Sequence, residues 1–113
     1  VKAREAVAQM GKALKIAKAE GVTIAFGTDA GVFEHGRNAG EFALMVEWGG
    51  MTPREALASA TTVAAKLLDK ETEIGRIAPG YSADLIAVSG DPLSNVRTLE
   101  TVDFVMARGR IID

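Results

Sequence analysis

Residues 22–28, Val-Thr-Ile-Ala-Phe-Gly-Thr, constrain this sequence more than any other stretch. The run is short, β-branched and almost wholly apolar, and it stops abruptly at Asp29. Such a pattern predicts a strand buried on both faces, as in a parallel sheet covered by helices. A lone strand cannot build that sheet, because its backbone N–H and C=O groups need neighbours on both edges. The sequence therefore predicts an incomplete fold, its hydrogen-bond partners supplied by another chain or by a missing part of the protein. A start at Val1 without Met agrees with that expectation.

The elements around the run are legible from periodicity and punctuation. Val7, Met10, Leu14 and Ala17 recur at spacings of three, four and three, which predicts a first helix ended by Gly21. A loop follows from Ala30 to Asn38. A second helix is expected from about Ala39 to Trp48, with Phe42, Met45 and Val46 inward and Gly49-Gly50 closing it. Thr52-Pro53-Arg54-Glu55 combines a cap, a proline at the first helical position and a capping-box glutamate. Ala56, Leu57 and Ala60 then face inward, Thr61-Thr62 breaks the helix, and Val63–Leu68 makes another. From Gly75 the pattern changes to turns and strands: turns at Pro79-Gly80 and Gly90-Asp91-Pro92, and strands over 84–88, 102–107 and 110–112. This tail is expected to hold about four strands, a typical number for a small sheet.

Composition narrows the function. At 113 residues the chain has the length of about one domain. Hydrophobic residues at 48% and charged ones at 25% argue against disorder. A net charge of −2 gives no reason to expect nucleic acid or an anionic membrane as partner. The absence of cysteine excludes thiolate metal sites and a Cys nucleophile, and fits a cytoplasmic protein. No apolar run approaches the roughly 20 residues of a membrane span.

Gly27-Thr28-Asp29-Ala30-Gly31 is the stretch richest in chemistry. A carboxylate just after an apolar parallel strand lies on the face of an α/β barrel where active sites gather. There Asp29 could ligate a divalent cation and take a proton from water. The alternative is that it caps a turn or the next helix. His35, the single histidine, could contact substrate or metal, or simply be solvated in its loop. Arg37 and Asn38 could bind a carboxylate or amide, or serve only the surface. Glu41 and Glu47 are expected on the solvated face of the second helix, and Trp48 and Tyr81 in packing. No phosphate loop, dinucleotide fingerprint or Gly-x-Ser-x-Gly elbow is present.

Two ordered signatures carry a resemblance. One is Gly27-Thr28-Asp29-Ala30-Gly31 with His35-Gly36 and Asn38, then Gly50-Met51-Thr52-Pro53, Glu55-Ala56-Leu57 and Ala60-Thr61. The other is Gly75-Arg76-Ile77-Ala78-Pro79-Gly80 with Ala83-Asp84-Leu85 and Gly90-Asp91-Pro92-Leu93. Together they resemble the C-terminal part of metal-dependent hydrolases of the amidohydrolase superfamily, in the branch of imidazolonepropionase-like and prolidase-like (Xaa-Pro dipeptidase) enzymes. The resemblance covers essentially the whole chain.

It implies an α/β fold: the end of a (β/α)₈ TIM barrel over residues 1–70, and C-terminal strands of a small β-sandwich over 71–113. Residues 22–28 match the eighth barrel strand and the preceding helix the seventh barrel helix. Asp29 matches the metal-ligating aspartate that also handles the proton of the attacking water. His35 and Asn38 fall near the substrate, and Asp84 matches a structural turn. The implied activity is hydrolysis of an amide or peptide-like C–N bond through a metal-bound hydroxide, on a dipeptide-like or other small-molecule substrate. The implied cofactor is a divalent metal, zinc above others, as one or two ions. The family's remaining ligands, a His-x-His pair, a carboxylated lysine and further histidines, have no counterpart here. The chain alone is thus expected to hold no metal stably and to be inactive, needing the N-terminal barrel or self-association. The rival expectation is a non-catalytic, self-associating structural domain with unpaired strand edges.

Overall fold

The computed structural model describes residues 2–29, 31 and 34–113. Helix α1 spans Lys2–Ala19, α2 Gly40–Glu47, α3 Pro53–Ala60 and α4 Thr62–Leu67. Strands β1 (Leu85–Ala87), β2 (Phe104–Ala107) and β3 (Arg110–Ile112) follow, with a 3₁₀ turn at Val96–Glu100 before β2.

Helix α1 ends as its glycine demands. Gly21 sits at φ +74°, where only glycine is free of strain. Its N–H reaches the Lys18 carbonyl and that of Val22 the Ala17 carbonyl, so the last turn closes in a Schellman motif. Of the stripe read in the sequence, Val7, Leu14 and Ala17 are half-buried as expected and Met10 is not, at 70% exposed; Gly11 is buried and Lys18 half-buried in addition. The face runs 7, 11, 14, 18 and passes through a residue with no side chain, which hydropathy spacing cannot register. A Cβ on Gly11 would stand 2.6 Å from the Trp48 carbonyl oxygen, so α1 meets the end of α2 backbone to backbone.

Helix α3 starts on the expected capping box: Glu55 N–H donates to Thr52 Oγ1, and Thr52 N–H donates to the Glu55 carboxylate. Thr61, at φ −125° and ψ −91°, breaks the path between α3 and α4. Ala56 and Ser59 are fully buried beneath, and the Ser59 hydroxyl donates to the Ala56 carbonyl. Met45, Met51 and Ala56 form the core, with Leu14, Ile24, Phe26, Phe42 and Val46 packed against it.

Residues 22–28 do not form a strand. They leave α1 and cross the core, but among the described residues no neighbouring strand lies beside them to form a ladder. The sequence carries the strand pattern and the fold lacks its partner. The tail likewise holds three strands rather than four, in antiparallel order β1-β2-β3, with Ile86 opposite Val105 and Met106 opposite Ile111. Arg108 and Gly109 at φ +51° and +76° make the two-residue hairpin turn between β2 and β3. The tail is tied to the helices by Arg97, whose guanidinium meets Glu47 at 2.8 Å.

The accessible surface is 8254 Å², against about 6,000 Å² expected of a compact monomer of this mass. The radius of gyration, 14.9 Å, likewise exceeds the roughly 13 Å of a compact domain of this length. Much of the surplus is apolar: Ile16, Leu67, Leu68, Ile77 and Ile111 are all more than half exposed.

Candidate active site

Asp29 stands where the apolar run emerges from the core. Its side chain is exposed and its backbone adopts φ +47°, a left-handed conformation that Asp tolerates better than most residues. Gly27 before it has open space where a Cβ would be. Ala30 lies outside the described residues.

The run leading to Asp29 is held from several sides. The Phe26 N–H donates at 3.0 Å to the Ser59 carbonyl, one of the carbonyls that the end of α3 leaves without a helical partner. The Phe26 ring stacks on Phe42 of α2, centroids 4.5 Å apart. The Asn38 side-chain amide donates at 3.0 Å to the Thr28 hydroxyl. Asn38 and Thr28 are both half-buried.

The other expected residues lie further out. Residues 34–37 form a turn closed by the Arg37 N–H on the Glu34 carbonyl, and His35 sits exposed at its corner. Arg37 faces Glu34 at 3.8 Å, an exposed pair of small energetic weight. Among the described residues no hydrogen bond joins His35 to Asp29 or Asn38. The site thus brings Asn38 to the neighbour of Asp29 and leaves His35 apart.

Three carboxylates outside the site are explained by their surroundings. Glu41 is half-buried rather than solvated, because it borders an apolar groove of about 230 Å³ between α1 and α2, lined by Met10, Leu14 and Trp48. Burial pushes its carboxyl above the usual range. Lys18 holds Glu55 at 2.7 Å, and its hydrogen bond, with that from Thr52 N–H, lowers the Glu55 carboxyl. Asp84, just before β1, is lowered by hydrogen bonds from Ser82 and from the Arg108 N–H of the β2–β3 turn, the latter at 2.8 Å. Asp84 is therefore turn chemistry, as its position suggested. Tyr81 packs half-buried and donates to the Glu71 carbonyl. Trp48 is 41% exposed at the groove.

A metal would find one suitable donor here. A carboxylate such as Asp29 is an ordinary ligand for zinc and other divalent ions. Among the described residues no group of three or more His, Cys, Asp or Glu side chains stands together. No helix among them is long and apolar enough to cross a membrane.

Residues 1–112 match the amidohydrolase family. The chain belongs to that family. Among amidohydrolase-family relatives, ochratoxinase of Aspergillus niger is 39% identical over 90 residues, 79% of this chain and 18% of that protein. Imidazolonepropionase of Streptomyces griseus is 44% identical over 68 residues, 58% of this chain and 17% of that protein. A solved structure of a Xaa-Pro dipeptidase with methionine bound in its active site superposes with a TM-score of 0.88 at 47% identity, over 93% of this chain and 26% of that one. The chain therefore spans about a quarter or less of the length of these relatives.

Sequence reasoning missed the Thr28–Asn38 bond, Ser59 and the Phe26–Phe42 stack. Ser59 left a faint signal as a polar residue among inward-facing alanines. Thr28 was in view as part of Gly27–Gly31, but its bond to Asn38 left no signal, since the partner lies ten residues on.

Proposed function

We propose that this chain is the C-terminal portion of a metal-dependent hydrolase that cleaves an amide or peptide-like C–N bond. Residues 1–70 are the end of a (β/α)₈ barrel, in which 22–28 would pair as the eighth strand once its neighbours are present, and 71–113 supply strands of a small β-sandwich. Family membership and the 47% identity to a Xaa-Pro dipeptidase support this reading, and dipeptides are its first substrate class. The observation that carries it is Asp29: an exposed carboxylate at the end of an apolar run, on backbone held by Phe26 and Thr28.

Asp29 has two roles in this account. It contributes one oxygen ligand to a divalent metal, most simply zinc, whose remaining ligands come from outside this chain. When bound, the metal supplies a Lewis acid that polarises the carbonyl and acidifies the attacking water. Asp29 takes the proton of that water and later delivers it to the leaving nitrogen, which departs as an amine. With one donor, the chain by itself retains no stoichiometric zinc and turns over no substrate. The surplus surface supports a fold completed by further barrel strands or, failing them, by a second copy of the chain. It fits neither nucleic acid nor membrane as partner.

The test is hydrolysis of Xaa-Pro and other dipeptides by the intact protein, meaning this chain joined to its N-terminal barrel, with zinc or manganese, before and after chelation. Turnover that chelation abolishes and metal restores is the expected result. Metal-independent turnover, or none on any dipeptide or N-acyl amino acid, contradicts the proposal.

A further inference from the structure

The loop after the apolar run leaves at Thr28 and returns at Asn38, and one side-chain hydrogen bond closes it. Both partners are fixed in turn. Thr28 follows Phe26, whose N–H is bound to Ser59 and whose ring is stacked on Phe42. Asn38 stands at the entry to α2, where its carbonyl accepts the N–H of Glu41. Between them Asp29 holds φ +47°, a left-handed conformation that fixes the direction in which its carboxylate leaves the chain. One of the two N–H donors of the half-buried Asn38 amide is committed to the threonine hydroxyl.

We propose that Asn38 is a positioning residue: by donating to Thr28 Oγ1 it locks the backbone that presents the Asp29 carboxylate. The inference rests on the catalytic role proposed for Asp29 and goes beyond it. Thr28 is its relay. The hydroxyl accepts from Asn38, and a valine of the same shape cannot. Misplacing a proton-handling group by a fraction of an ångström costs turnover more than substrate binding.

The experiment compares Asn38→Ala, Thr28→Val, Thr28→Ser, the Asn38→Ala/Thr28→Val double variant and Asp29→Asn in the intact, metal-loaded protein. It reads kcat and KM on the best dipeptide, and amide hydrogen exchange over residues 27–40. Expected are equal losses of kcat, about tenfold, in Asn38→Ala and Thr28→Val. KM should hold within about twofold, and the double variant should be no worse than either single change. Exchange over 27–40 should quicken in all three, and Thr28→Ser should rescue both readouts.

A raised KM in Asn38→Ala with Thr28→Val unaffected would mean that Asn38 touches substrate, and overturns the proposal. So would losses that multiply in the double variant, or exchange unchanged by either single substitution. Asp29→Asn at full turnover would overturn the role of Asp29 instead. Exchange over 27–40 would then still decide whether the Asn38–Thr28 lock exists.

Discussion

The rings of Phe26 and Phe42 stack with centroids 4.5 Å apart and planes inclined by 27°. This contact joins the run that ends in Asp29 to the helix that follows the loop, so one pair of side chains fixes both ends of the site. Aromatic pairs of this kind add stability beyond the area they bury.

Replacing Phe42 by alanine removes the stack and opens a hole beside Met45. A loss of about 2–3 kcal/mol is expected, below the full cost of a buried Phe because the ring is only half-buried. Phe42→Leu should recover more than half of it. Denaturant midpoints at unchanged m-value measure both.

Gly11 inverts a usual rule. Alanine in a helix interior normally stabilises by about 1 kcal/mol relative to glycine. Here the added Cβ would lie 2.6 Å from the Trp48 carbonyl oxygen, a backbone atom that cannot swing aside. Gly11→Ala should therefore destabilise, by about 1–3 kcal/mol as overpacking does. A thermal melt of this variant beside Gln9→Ala, on the exposed side of α1, separates the two effects.

Glu55 and Glu41 should respond oppositely to pH. The Glu55 carboxyl is lowered from 4.5, chiefly by its hydrogen bond with Lys18. Its stabilisation is present above the unfolded value and is lost as pH falls through the folded one. Glu55→Gln should then lower Tm at neutral pH, with a deficit that shrinks as pH falls below 4.5 and through the lowered folded value. The Glu41 carboxyl is raised from 4.5 by burial, so ionising it weakens the fold as pH rises through its folded value. Glu41→Gln should raise Tm at pH 7 and change little in acid. Melting curves from pH 3 to 7 test both signs.

The sequence was most legible where cause and consequence are local. Thr52 and Glu55 are three residues apart, and the capping box formed as expected. Arg108-Gly109, the two residues left between the strands expected over 102–107 and 110–112, form the turn. Val22–Thr28 shows the limit: its composition encodes a strand, but a strand is a relation to neighbours, and none lies beside it among the described residues. On α1 the expected Met10 gave way to Gly11, a residue invisible to hydropathy and decisive for close approach. The Val96–Glu100 turn was missed although Asn95 caps it, by accepting the Arg97 N–H. Arg97 and Glu47 are fifty residues apart, and Thr28 and Asn38 are separated by a loop. Such pairs follow from the fold, and no local pattern announces them.

In the proposed reaction Asp29 handles the proton of the hydrolytic water. The most direct test of this role is the turnover of Asp29→Asn in the intact, metal-supplemented protein, with folding checked by circular dichroism. Asparagine keeps the size and an oxygen donor but cannot accept the proton. A fall in kcat of about 10²–10⁴-fold is expected, the usual worth of general base catalysis. A folded Asp29→Asn variant whose kcat stays within twofold of the parent would contradict that role.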